Sequence, residues 1–103
     1  EWNVFYQNHK THLMANVLRQ ANPDILGLCE FTANPQLMAA HLNEVSPGRA
    51  YRIQPGRTVW KGYGTDIIYD SARFLAVEGG VEQVGCKGTA GGPRAAHWVV
   101  LQE

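Results

Sequence analysis

Glu30 closes the run Asn22-Pro23-Asp24-Ile25-Leu26-Gly27-Leu28-Cys29-Glu30, an apolar strand pattern that delivers a carboxylate at its far end. An acid so placed lies at the carboxyl edge of a sheet, where open α/β folds keep their ligand sites, and it offers the hard oxygen that Mg²⁺ takes. A solvated strand end is the bland alternative. Asn3 belongs to the earlier run Trp2 to Tyr6, where strand alternation turns it away from Trp2 and Val4. A carboxamide there either serves a site or hydrogen-bonds neighbouring backbone, as buried polar groups ordinarily do. Asp66 shares the parity of Ile68, and an inward acid requires a partner such as Arg94 or a metal. The same residue on an edge strand would simply discourage aggregation. Arg94 carries a planar fork that fits phosphate and carboxylate alike.

The four histidines divide differently. His9 and His12 are spaced i, i+3, but two imidazoles without a third ligand do not make a zinc site. His41 falls on an apolar helix face and reads as a hydrogen-bonded, partly buried side chain. His97 stands alone in the last strand, where it can act as a proton acceptor near neutral pH or make a structural contact. Between Val45 and Thr65 every charge is basic: Arg49, Arg52, Arg57 and Lys61, interleaved with Tyr51, Trp60 and Tyr63. Such a mixture holds phosphates and stacks on bases. It is equally the composition of a solvated loop with its aromatics packed inward.

Elements must position these residues. Trp2 to Tyr6 reads as a strand, short and rich in aromatic and β-branched residues. From about His9 to Ala21 the apolar residues Leu13, Met14, Val17, Leu18 and Ala21 recur at helical spacing, and Asn22-Pro23 stops them. Ile25 to Glu30 is the near-continuous apolar run of a strand covered on both faces. The three make a βαβ unit, so the two strands are expected to be parallel. Asn34-Pro35 opens a second helix with an N-cap and a proline at its first position. Leu37, Met38, His41, Leu42 and Val45 line one face, and Ser46-Pro47-Gly48 ends it. The remainder reads as an antiparallel meander: Tyr51 to Gln54, Thr65 to Tyr69, Phe74 to Val77, Val81 to Cys86 and Ala95 to Leu101. Gly88 to Pro93 is a glycine-rich loop. The expected class is α/β, β-α-β-α followed by a β meander, forming one mixed sheet with two helices on one face.

The 103 residues suit one domain, 1–103, and nine Lys and Arg balance nine Asp and Glu. No global field therefore draws the chain to nucleic acid or an anionic membrane, and any phosphate preference is local. Apolar runs are strand-sized and the first residues lack the pattern of a signal peptide, so no membrane association and a cytoplasmic location are expected. Cys29 and Cys86 have neither disulfide-framework nor metal-ligand spacing.

Trp2-Asn3-Val4, Pro23-Asp24-Ile25-Leu26-Gly27-Leu28-Cys29-Glu30, Gly62-Tyr63-Gly64-Thr65-Asp66-Ile67-Ile68-Tyr69 and Arg94-Ala95-Ala96-His97-Trp98 together resemble the ordered motifs of the endonuclease/exonuclease/phosphatase superfamily, the DNase I-like fold. The resemblance covers essentially the whole chain, and the second motif is the most specific. It implies metal-dependent phosphodiesterase or phosphatase ancestry, with Mg²⁺ or Mn²⁺ as cofactor. Glu30 would match the metal-binding Glu, and Asn3 the strand Asn beside metal and scissile phosphate. Arg94 would match the Arg that approaches substrate phosphate, and Tyr69 the strand-end aromatic that helps hold nucleic acid. The family's catalytic His, its Asp-x-Asn pair and its terminal Asp-His belong to the second half of the domain, and these 103 residues match the N-terminal half.

Half a four-layer sandwich leaves one sheet face bare. Burying some ~700 Å² of apolar sheet on each partner at about 25 cal/mol per Å² is worth tens of kcal/mol gross, before association costs. A homodimer of C2 symmetry would restore an α/β/β/α sandwich. The expected function is thus a non-catalytic or vestigial half-domain that dimerises through its open sheet face and binds, if anything, a phosphate-containing ligand or, weakly, nucleic acid. The alternative is a Mg²⁺-dependent phosphodiesterase, nuclease or phosphatase with its site rebuilt across the dimer, or a fragment of such an enzyme.

Overall fold

A computed structural model describes residues 2–3, 11–31, 34–55, 58–60, 63–83 and 95–103, with the backbone alone for 2–3, 29–31, 58–60, 63–64, 83 and 95. The expected continuation of the first strand to Tyr6, the helix start at His9, the strand end at Cys86, the Gly88 to Pro93 loop, and Arg57, Lys61 and Arg94 lie outside the described residues.

Strand β1 (Trp2–Asn3) pairs in parallel with β2 (Ile25–Phe31), and helix α1 (Thr11–Ala21) connects them, as the βαβ pattern requires. Asn22 ends α1 in the left-handed region at φ 48°, a conformation that asparagine tolerates better than most residues, and its N–H bonds Arg19 O at 3.0 Å. Helix α2 (Pro35–Val45) begins as expected, because the Asn34 carboxamide oxygen accepts from Gln36 N–H at 2.9 Å and Leu37 N–H at 3.4 Å. Pro35 follows at the first position, where no backbone donor is needed. Gly48, at φ 87°, turns the chain after α2 toward the meander.

The remaining strands are β3 (Tyr51–Ile53), β4 (Thr58–Trp60), β5 (Tyr63–Asp70), β6 (Leu75–Gln83) and β7 (Ala95–Gln102). One sheet runs β1-β2-β5-β3, with β4 also on β5, and all pairs but β1–β2 are antiparallel. The mixed α/β class and two-helix plan agree with the pattern read from the sequence. The hydrogen bonding is subdivided, however: β6 and β7 pair with each other as a separate two-stranded ribbon among the described residues. Two segments read as distinct strands, Phe74 to Val77 and Val81 to Cys86, join into the single strand β6. Gly79-Gly80 is extended rather than a turn. A Cβ on Gly79 would lie 2.0 Å from the Gln54 amide nitrogen, and one on Gly80 would lie 3.3 Å from the Trp98 ring. The glycines are needed for close approach, not for reversing the chain.

Both helices cover the same sheet face. Met14, Ala15 and Leu18 of α1 and Met38, Ala39 and Leu42 of α2 pack with Leu26, Leu28, Tyr51 and Ile68 into one core. The stripe expected on α1 is displaced: Leu13 and Val17 are 56% and 58% exposed, and Thr11 and Ala15 are buried in their place. Thr11, Met14, Ala15 and Leu18 still follow the i, i+3, i+4, i+7 spacing, and the small Ala15 lets α1 lie close to α2. On the other sheet face Ile25 is half exposed, so β2 is not apolar because it is covered twice. The molecule measures 46 × 32 × 18 Å. Its thinnest dimension holds one sheet and one helix layer, since each further sheet adds about 10 Å.

Candidate functional site

Strand order brings two of the sequence-selected residues together. Asn3 pairs with Cys29, the residue before Glu30, so Asn3 and Glu30 occupy neighbouring positions on adjacent strands. On the other side of β2, Phe31 pairs with Gly64, and the register shifts between Leu28 and Phe31. A bulge there bends the strand and re-aims its end. Helix α2 starts within four residues of Phe31, so its partially positive N-terminus serves the same edge and favours anionic groups. One step back, Asp66 pairs with Leu28 on the helix-covered face and is 1% exposed. Backbone register thus sets an Asn and a Glu position side by side, residue types whose oxygens suit Mg²⁺ or Mn²⁺ better than a softer metal. One carboxylate supplies only part of such a shell, and among the described residues no group of three His, Cys, Asp or Glu is arranged to hold a metal.

The structure does not bring Tyr69 to this edge. It pairs with Ile25 at the start of β2 and with Arg52 on β3, so about 17 Å of strand separates it from Glu30. Tyr69 is 7% exposed, the burial of a packed aromatic side chain. Arg94 precedes β7 outside the described residues.

The opposite end of the sheet holds a charge network that the sequence pattern does not announce. Arg49 donates to Asp24 through Nη1, which also donates to Asp70 Oδ2 at 3.0 Å, while Nε and Nη2 reach Asn22 Oδ1 at 3.1 and 3.0 Å. Arg73 bonds Asp24 Oδ2 at 2.8 Å and Glu103 Oε1 at 2.8 to 2.9 Å, tying the last strand to the start of β2. Asp70 Oδ1 accepts from Ala50 N–H and Ala72 N–H, each at 3.0 Å. The hydrogen bond from Arg49 holds Asp24 below the usual carboxylate range, against the opposing effect of burial and with help from Arg73. Burial alone would raise Asp70, but Ala50 N–H, Arg49 and Ala72 N–H outweigh it and lower its pKa. Burial pushes the Tyr51 phenol up. That hydroxyl donates to Pro23 O at 2.6 Å.

These contacts decide the basic and aromatic segment. Arg49 is fully engaged and Tyr51 belongs to the core, which leaves Arg52 as the exposed described cation between Val45 and Thr65. Three of the histidines are also placed, His9 lying outside the described residues. His41 Nδ1 and the buried Thr11 hydroxyl share a hydrogen bond of 2.8 Å that joins α2 to α1, with the His12 ring edge-on at 6.1 Å. His97 sits with Nε2 2.9 Å from Pro55 O and Nδ1 3.4 Å from Thr65 O, anchoring β7 to the first sheet. Asn43 was not singled out by its sequence context, yet its carboxamide binds both backbone groups of Tyr51: Oδ1 accepts Tyr51 N–H at 2.6 Å and Nδ2 donates to Tyr51 O at 3.0 Å.

With this geometry the chain is similar to solved phosphoesterase-type structures. An endonuclease/exonuclease/phosphatase family protein from Bacteroides thetaiotaomicron superposes with a TM-score of 0.62 at 20% identity over 91% of this chain and 35% of its own. The mannosyl-6-phosphatase Bt3783 of Bacteroides thetaiotaomicron VPI-5482 gives 0.61 at 20% identity over 91% and 37%. The chain therefore has part of the endonuclease/exonuclease/phosphatase fold and spans little more than a third of the length of these structures, consistent with an N-terminal half. No family model matches it. No curated protein matches it either.

Proposed function

We propose that these 103 residues form a phosphoesterase-type half-domain that binds a phosphate-containing ligand and pairs with a second copy of itself across the face opposite the helices. The observation that carries this is the two-layer build: an 18 Å slab with a helix-covered core on one side and, on the other, a face where Ile25 is half exposed beside its buried cross-strand neighbour Tyr69. A sheet whose second face is only partly covered gains by acquiring a further layer, and an isologous pair is the commonest closed arrangement. Glu30 and Asn3, adjacent in register, would hold Mg²⁺ or Mn²⁺ at the strand edge, and Arg94 would supply a positive fork to the ligand's phosphate. The metal, when bound, supplies Lewis-acid polarisation of a phosphoryl oxygen. With one edge carboxylate for metal and no histidine among the described residues brought to that edge, binding without turnover is the expected behaviour. Light scattering on an eluting peak at micromolar concentration is expected to give twice the chain mass, and a well-folded monomer there would end the dimer proposal.

A second reading has its own support. The match covers only 35% and 37% of the similar structures, and one of them is named as a phosphatase, so the segment would serve as the N-terminal part of a metal-dependent phosphodiesterase, nuclease or phosphatase. Hydrolysis of an activated phosphodiester with Mg²⁺ or Mn²⁺ separates the two readings. No turnover above the metal blank is expected of the 103 residues. Turnover that disappears in Glu30→Ala would establish the enzymatic reading instead.

A further inference from the structure

We draw no further inference here: the strongest candidate, the exposed apolar strip of Leu75, Val77 and Val100 on the β6–β7 ribbon, carries nothing because nothing in the structure shows what covers it.

Discussion

The two ends of β2 carry acids of opposite fate. Asp24, just before the strand, is clamped between Arg49 and Arg73. Glu30 lies about 20 Å further along, at the edge where β1, β2 and the start of α2 converge. One stretch of sequence thus contains a structural acid and a candidate ligand-binding acid, and residue type does not distinguish them. What distinguishes them is the company that distant segments bring. Arg49 arrives at the Asp24 end from the loop before β3 and Asp70 from the last position of β5, and they consume one another's charge. Among the described residues the Glu30 end receives an asparagine and a helix N-terminus, neither of which carries the full positive charge of an arginine.

Asp70→Ala should break this contrast most severely. It removes the acceptor of two backbone N–H groups and one partner of Arg49 at a buried position, so a loss of about 3 kcal/mol is expected in denaturant unfolding. A loss under about 1 kcal/mol would mean that the network is not what holds the loops together. Acid titration reads the same end more gently. Both Asp24 and Asp70 are lowered in the fold, so their contribution is complete above the unfolded carboxylate value near about 4 and is lost as pH falls through the lower folded values. Melting temperature should therefore hold at neutral pH and drop below about pH 4, with a shallower drop in Asp70→Asn; equal acid slopes in the two proteins would count against the assignment. The smallest effects belong to the other end. Asn34→Ala should cost about 1 kcal/mol by uncapping α2. Glu30→Ala should change stability by no more than about 0.5 kcal/mol while abolishing any Mg²⁺ or Mn²⁺ binding seen by calorimetry. A large stability loss in Glu30→Ala would make that acid structural too and erase the contrast.

Sequence pattern reached the parts of the fold that local chemistry decides. Asn34-Pro35 specifies a cap whatever surrounds it, and the Ile25 to Glu30 run specifies a strand. Elsewhere tertiary contacts overruled local pattern. Leu13, Met14, Val17 and Leu18 define a wide apolar arc on α1, and packing against α2 selected only its Met14 and Leu18 side. Gly79-Gly80 carries a turn signature, but close passage of Gln54 and Trp98 demands glycine for another reason. The Arg49 network joins residues more than twenty positions apart, a separation across which no periodicity speaks. The motif resemblance implies a ligand-holding role for Tyr69, while the antiparallel run of β5 against β2 carries it to the far end of the sheet.

The Asn43 carboxamide on Tyr51 has a consequence for how this molecule can associate. By occupying the outward N–H and C=O of Tyr51, a helix side chain acts as a surrogate strand one residue long. At Tyr51 the β3 border is thereby closed to templated growth by another chain, which would otherwise find an open donor and acceptor there. Addition of strands side by side, the route to swapped or fibrous assemblies, is hindered at Tyr51 by a side chain that already supplies the pairing a new strand would offer.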